Sequence, residues 1–176
     1  CYVARERRVR SLNFMARIPR AFPLDKLNRR EQLLRGPVAF GAPGNLAGWC
    51  EMVGTYGTRK LPELFAPAIA VARDGFGLLE FNVEEIAGVA PDLRDHGALY
   101  PEWSKTYLEG ISGGKPALGA VLRQPDLART LEALGNEGPS LLYGGALGRK
   151  VIDRLAELGG TLTLEDLLDV KPEWTD

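Results

Sequence analysis

The feature that most constrains the fold is a change of hydrophobic period near residue 43. Upstream of it, the stretches "CYVARE" and "RVRSLNF" alternate apolar and polar residues, the period of a β-strand. From residue 43 onward, apolar residues recur every three or four positions, which is the period of a helix. Residues 19–38 are basic, irregular and interrupted by prolines. The pattern predicts an α+β fold, mostly α-helical, with a β-hairpin within residues 1–18 and a helical region over residues 43–176.

The first helix is predicted to begin at Asn45, whose side chain can cap the free N–H groups of the opening turn. Gly57 is the type of residue that ends a helix in the left-handed conformation. Ala47 and Gly48 present almost no side chain, so another part of the backbone can approach closely there. One face of this helix carries four apolar residues, Leu46, Trp49, Cys50 and Val53.

Five further helices follow in the prediction. The second helix begins near Pro62 and ends at Gly75, and Pro67 breaks or kinks it because proline lacks an N–H and clashes with the preceding turn. Three more helices cover residues 80–96, 125–137 and 144–158.

The last helix opens at Thr163, whose hydroxyl can cap the N–H of Asp166. Between two of these helices, residues 97–123 contain Gly113-Gly114-Lys115-Pro116 and are predicted to form a long surface excursion.

Composition excludes several classes of partner. At 176 residues and 45% hydrophobic, the chain is long enough for one domain with a sizeable core, and its net charge is −1. Residues 1–35 hold 10 of the 22 basic residues and three acids. We interpret this arm as solvated and facing an acidic partner surface, since nucleic-acid binding would need aromatic residues interleaved with the charges. No apolar run approaches the roughly 18 residues of a membrane span.

The residues that usually carry catalysis are sparse. His96 is the only histidine, lies in a charged stretch, and is predicted to be a solvated loop or helix-end residue. Cys1 and Cys50 make no disulfide or zinc spacing, and Cys50 is predicted to be a buried free thiol. The adjacent pairs Glu84-Glu85 and Glu165-Asp166 do not face each other on a helix. The sequence predicts neither a metal site nor a bound cofactor.

Several sequence blocks nevertheless occur in a characteristic order. They are "PGNLAGWCEMVGTYG", "LFAPAIAVARDGFG" and "LRQPDLARTLEALGNEGPSLLYGGALGRKVIDRLAELGGTLTLEDL". Together they resemble the large subunit of the gamma-glutamyltranspeptidase family, whose pattern runs P-G-x-V-A-G, Y-G, P-A-I-x-L-A-x-x-G-F, Q-P-x-L-A-x-T-L and G-G-x-L-T-x-x-D-L. The resemblance covers about residues 2–174, and the succession of blocks is far more specific than any one of them.

The resemblance implies part of the αββα fold of an N-terminal-nucleophile hydrolase. Such a precursor cleaves itself, and the small subunit then begins with a threonine that is the nucleophile, while its own amine is the general base. The acyl-enzyme passes its acyl group to water or to an acceptor amine. Residues 1–176 would then be a partial large-subunit domain, truncated at both ends, with the small subunit of the same precursor as partner and a γ-glutamyl or related amide as substrate.

One position departs from the family pattern. The family strand reads A-L-D-x-R-E-x-A-P and its Arg pairs with the α-carboxylate of the acyl donor, whereas "SLNFMARIP" places Met15 at that position. Met cannot replace a bidentate Arg–carboxylate contact. Arg17 faces the same side two residues later, about 6–7 Å along an extended strand. It is either a substitute contact for a substrate carboxylate or a surface charge beside Pro19.

Two broader alternatives stay open. The parent protein is either an amidohydrolase or acyltransferase of this family, with an altered acyl donor, or a helical module that kept the fold and lost the chemistry. The chain alone is expected to lack the nucleophile, because none of its threonines stands in the family's Thr-Thr-His context. The sequence leaves the compartment, the acyl donor and the oligomeric state undetermined.

Overall fold

A computed structural model describes residues 1–27, 29–34, 36–95 and 101–175. Helices predominate and the strands are short, so the α+β prediction is confirmed. The strands are β1 Tyr2–Val3, β2 Arg8–Val9, β3 Ser11–Asn13, β4 Phe76–Gly77, β5 Val121–Leu122 and β6 Glu173–Thr175. The helices are α1 Glu31–Leu34, α2 Asn45–Tyr56, α3 Leu61–Asp74, α4 Glu80–Asp95, α5 Pro101–Ser104, α6 Pro125–Glu137, α7 Ala146–Glu157 and α8 Leu164–Leu168. A π-helical turn, Lys105–Glu109, follows α5, and 3₁₀ turns lie at Pro37–Ala39 and Pro139–Leu141.

The chain divides into two compact units. Unit 1 comprises residues 1–61 and 136–176, and unit 2 comprises residues 62–135. The buried core of unit 1 consists of Ala42, Leu155, Leu162 and Leu167. The buried core of unit 2 consists of Leu78, Ile86, Ile111 and Leu122.

The N-terminal hairpin is present but shorter than its alternating pattern suggests. Strands β1 and β2 pair antiparallel, with Tyr2 opposite Val9. The next strand, β3, leaves the hairpin and pairs antiparallel with β6, so that Asn13 lies opposite Glu173. The alternating pattern identified the strand residues, but it could not identify a partner that lies about 160 residues away in sequence.

Helix α2 begins where predicted, but its capping differs from the prediction. Asn45 is the first helical residue, and Gly44, which has no side chain to donate or accept a bond, is the N-cap. Gly57 ends the helix in an extended conformation (φ −72°, ψ 148°) rather than a left-handed one. A Cβ on Gly57 would lie 2.5 Å from the carbonyl oxygen of Val53, so close approach explains the glycine. Trp49, on the apolar face of this helix, is 47% exposed.

The sequence predicts that Pro67 breaks or kinks α3; the helix continues through Pro67, so the break is wrong. Phe65 and Ala72 are buried on either side of the proline. Their packing offsets the hydrogen bond that the proline ring removes. The helix stops at Gly75, whose φ of 91° agrees with the predicted end.

The predicted surface excursion over residues 97–123 is only partly correct: residues 112–119 form mostly exposed turns, whereas residues 101–109 are helical and the flanking residues reach a core. Strand β5 pairs with β4, and the exposed fractions of Ile111 and Leu122 are only 2% and 3%. The glycines and the Lys-Pro pair suggested a loop, but the apolar residues on both sides of them belong to the core of unit 2. His96 lies outside the described residues.

The C-terminal part matches the prediction closely. Helices α6 and α7 fall within a residue or two of the predicted ranges, and α8 follows Thr163. The Thr163 side chain accepts a hydrogen bond from the N–H of Asp166, and the Asp166 carboxylate accepts one from the N–H of Thr163. This capping box satisfies two backbone donors within four residues of chain.

Candidate functional site

The candidate site is the segment of residues 13–17, which contains both residues singled out by sequence. Its first residue is the end of β3, which is fixed in register by pairing with β6. Its last residue, Arg17, exchanges two backbone hydrogen bonds with Ala42, of 3.2 and 2.8 Å. Both ends of the segment are therefore anchored to unit 1, and residues 14–16 between them belong to no strand.

Phe14 explains the glycines of the stretch "PGNLAG". A Cβ on Gly44 would lie 2.0 Å from the carbonyl oxygen of Phe14, and a Cβ on Gly48 would lie 2.3 Å from Cγ of the Phe14 ring. Real Cβ atoms do not approach other heavy atoms this closely. We call Gly44 and Gly48 the glycine notch. The notch lets the backbone and ring of Phe14 pack directly on the start of α2, which agrees with the close approach predicted at Gly48.

Tyr143 supplies the cap that α2 lacks locally. Its hydroxyl accepts a hydrogen bond from the N–H of Ala47 (3.1 Å) and donates one to the carbonyl oxygen of Pro43 (2.8 Å). Burial raises the pKa of this hydroxyl, although the bond from Ala47 opposes the rise. Sequence reasoning missed Tyr143 because a cap supplied from about 100 residues away leaves no local signal.

The backbone of Met15 is hydrogen-bonded, whereas its side chain is exposed. Its N–H donates to Oδ1 of Asn13 (3.2 Å), and the residue is 79% exposed. A thioether on a flexible, unbranched side chain offers an apolar and adaptable contact but no charge. The surface at this position can therefore pack on an apolar group, and it cannot form an ion pair.

Arg17 lies on the same segment, and its guanidinium already has a partner. Its Nη2 lies 2.9 Å from Oε1 of Glu173, and the two side chains are 50% and 61% exposed. Strand pairing brings this carboxylate close, since Glu173 lies opposite Asn13 in the β3–β6 ladder. Exposed ion pairs of this kind contribute little to stability, so the main effect of Glu173 is to offset the positive charge of Arg17.

Strand β6 is fixed in turn by a cluster of aromatic and charged side chains. The Trp174 indole donates to Glu51 on α2 (2.9 Å) and packs edge-on against Tyr56, with ring centroids 5.4 Å apart. The Arg10 guanidinium lies 4.7 Å from the Trp174 ring centroid and donates to the Tyr56 hydroxyl. These contacts tie β6 to α2 and so fix the backbone that carries Glu173.

A cleft of about 340 Å³ lies next to α2, with Cys50, Glu51 and Tyr143 in its wall. Cys50 is a half-buried free thiol, and burial raises its pKa. Such a thiol is a poor nucleophile at neutral pH. The Glu51 carboxylate and the Tyr143 hydroxyl are occupied by the hydrogen bonds described above. The cleft therefore lacks an activated nucleophile paired with a base.

Neither a group of metal ligands nor a membrane-spanning helix is found in the described part of the chain. Within residues 1–27, 29–34, 36–95 and 101–175, no group of three or more His, Cys, Asp or Glu side chains is placed to hold a metal ion. In the same ranges, no helix combines the length and the apolar character needed to cross a bilayer. The contacts described above hold residues 13–17 against Ala42 and the start of α2.

Comparisons with known proteins identify the family to which the chain is similar. A family model described as gamma-glutamyltranspeptidase matches residues 1–176. The Acylase ACY 1 proenzyme of Pseudomonas sp. (strain SE83) is 38% identical over 147 residues, which cover 82% of this chain and 25% of the relative. The glutathione hydrolase proenzyme of Escherichia coli (strain K12) is 31% identical over 140 residues, which cover 78% of this chain and 23% of the relative. The chain thus spans about a quarter of these relatives.

Solved structures give the same result for the fold. The gamma-glutamyltranspeptidase from Pseudomonas nitroreducens, complexed with L-DON, matches with a TM-score of 0.74 and 28% identity, over 93% of this chain and 48% of that one. The gamma-glutamyltranspeptidase of Helicobacter pylori matches with a TM-score of 0.85 over 100% of this chain and 50% of that one. At 24% identity, the second match supports the fold alone.

Proposed function

Since the chain belongs to the gamma-glutamyltranspeptidase family, we propose that it is the large-subunit segment of an amidohydrolase or acyltransferase of the N-terminal-nucleophile class. The complete protein cleaves γ-glutamyl or related amide bonds. The observation that carries the proposal is the family match over all 176 residues, together with relatives that are named as proenzymes of both an acylase and a glutathione hydrolase.

In this proposal the chemistry belongs to a small subunit derived from the same precursor. Its N-terminal threonine attacks the amide carbonyl, the threonine's own amine takes the hydroxyl proton, and the amine of the substrate leaves. Water or an acceptor amine then attacks the acyl-threonine ester and releases the acyl group. The contribution of the present chain is to bind and orient the acyl donor.

Residues 13–17 are the part of the chain that we assign to donor binding. The glycine notch and the bonds to Ala42 hold this segment in place, and the Met15 side chain is exposed on it. A γ-glutamyl donor carries an α-carboxylate, and an uncharged Met offers it no counter-charge. We therefore expect the complete protein to handle γ-glutamyl donors poorly and to prefer a related amide.

The test uses the complete gene product that contains these residues, with γ-glutamyl p-nitroanilide as donor. The Met15→Arg variant is expected to raise kcat/KM about 30-fold or more, since a charge-assisted contact contributes on the order of 2–3 kcal/mol. Arg17→Ala is expected to lower the residual activity if Arg17 takes over the carboxylate contact. Ile18→Arg adds the same charge at a 70% exposed neighbour and controls for general electrostatic attraction.

Two results would contradict this proposal. An efficient wild type that neither substitution alters would show that Met15 and Arg17 have no part in specificity. A complete product that turns over neither γ-glutamyl nor uncharged acyl anilides would favour the non-catalytic module.

A further inference from the structure

The ion pair between Arg17 and Glu173 occupies the only described cation on residues 13–17. The Arg17 backbone is fixed by two hydrogen bonds to Ala42, which is 0% exposed, so only its side chain can move. A guanidinium presents a planar fork that matches a carboxylate. Here that fork already faces a carboxylate of the protein itself, at 2.9 Å.

The position of Glu173 is as constrained as that of Arg17. The β3–β6 register sets Glu173 opposite Asn13, and the next residue, Trp174, is bonded to Glu51 on α2. Because its backbone cannot withdraw, a donor carboxylate that approaches Arg17 meets the negative charge of Glu173. The approaching group must displace that side chain or bear its repulsion, which costs a charge–charge interaction at close range.

We propose that Glu173 is a positioning residue that excludes carboxylate-bearing acyl groups by holding Arg17. The donor that fits this surface carries an uncharged, apolar acyl group, packed on Met15. This inference rests on the proposed function and deepens it, because it names the substrate class and a residue that selects it. Selection of the acyl donor then depends on the β3–β6 pairing, which positions Glu173, as well as on the identity of residue 15.

The first measurement needs no turnover. Calorimetric titration of glutarate into the complete gene product is expected to show about fivefold tighter binding to Glu173→Gln than to wild type. The double variant Arg17→Ala/Glu173→Gln is expected to lose the gain, since the effect acts through Arg17. Glu157→Gln is the matched control, because Glu157 forms a similarly exposed ion pair of 3.1 Å with Arg154 on α7. Equal glutarate binding by wild type and Glu173→Gln, or a gain that persists in the double variant, would overturn the inference.

The second measurement compares two donors of matched length, glutaryl and valeryl p-nitroanilide, which differ by a terminal carboxylate. Wild type is expected to favour the valeryl donor. Glu173→Gln is expected to shift the kcat/KM ratio about fivefold toward the glutaryl donor, through KM and with kcat unchanged. A change of kcat on both donors would instead indicate a structural defect and overturn the positioning role. Absence of turnover with either donor counts against the proposed function, whereas an unchanged ratio with normal turnover counts against the role of Glu173 alone.

Discussion

Residues 62–135 form unit 2 from one continuous run of chain, whereas unit 1 joins residues 1–61 to residues 136–176. In unit 2, the β4–β5 ladder and the buried core connect positions a few tens of residues apart. In unit 1, the β3–β6 ladder, the Tyr143 cap and the Trp174 cluster connect positions about 100 to 160 residues apart.

This difference shows which contacts fix the positions of residues in each unit. Residues 13–17 belong to unit 1, and apart from the bond from Met15 N–H to Asn13 Oδ1 the groups that fix them come from other parts of the sequence: the glycine notch, Ala42 and β6. Bringing distant segments together costs chain entropy, so specific side chains must stabilise each junction. We expect substitutions in unit 2 to act through the amount of apolar area buried, and substitutions in unit 1 to act through close fits and hydrogen bonds.

The largest effect should come from the core of unit 2. Leu78 is 1% exposed and its neighbour Leu79 is 68% exposed, so the same change to alanine tests burial alone. We expect Leu78→Ala to lower the free energy of unfolding by about 3 kcal/mol through lost apolar contacts and a cavity. Leu79→Ala should change it by less than about 1 kcal/mol. Urea unfolding measures both, and equal losses would show that apolar burial does not determine the stability of this unit.

The next effect tests the close fit in unit 1. We expect Gly48→Ala to lower the free energy of unfolding by about 2 kcal/mol, because its Cβ would overlap the Phe14 ring. Gly54 lies on the same helix, and apart from its chain neighbours and the helix's own backbone a Cβ there would meet no atom within 4 Å. Gly54→Ala should therefore stabilise by roughly 0.5–1 kcal/mol. Thermal unfolding of both variants measures the difference. If Gly48→Ala were as harmless as Gly54→Ala, the packing of Phe14 into the notch would be wrong.

The smallest effect concerns a hydrogen-bonded carboxylate of unit 1. Asp166 is 6% exposed and accepts bonds from Thr163 and from the N–H of Arg20. Burial raises its pKa, but these bonds outweigh burial and bring the pKa below its ordinary 3.8. A lowered folded-state pKa stabilises the protein above pH 3.8, and this contribution is lost as pH falls through the folded-state pKa.

Asp166→Asn should therefore lower the free energy of unfolding by about 1 kcal/mol at pH 7 and reduce its decline in acid. Glu165→Gln, at the exposed neighbouring position of α8, is the control for charge near the helix start. Urea unfolding from pH 7 to pH 3 measures both variants. A pH profile that Asp166→Asn leaves unchanged would show that the carboxylate does not contribute in its ionised form.

Much of the helical architecture was predictable because its signals are local. The bounds of α6 and α7 follow from apolar spacing, Pro125 and the glycines beyond each end, all within one or two turns. The family was identifiable for a related reason: its sequence blocks contain residues that close packing requires, such as Gly44 and Gly48. Met15 and Arg17 were found through that pattern, and their role in donor specificity stays a prediction.

The sequence by itself determined the positions of the longer helices, the Thr163 cap at the start of α8 and the family, because each depends on residues within a few positions or on an ordered pattern along the chain. Only the tertiary structure decided that β3 pairs with β6, that Tyr143 caps α2, that α3 passes through Pro67 and that Ile111 and Leu122 lie in a core. In each of these cases the contact that decides the structure comes from residues that are distant in sequence or, for α3, from the burial of residues on both sides of Pro67. The ion pair of Arg17 is likewise decided by the tertiary structure, since the carboxylate that pairs with it lies 156 positions further along the chain.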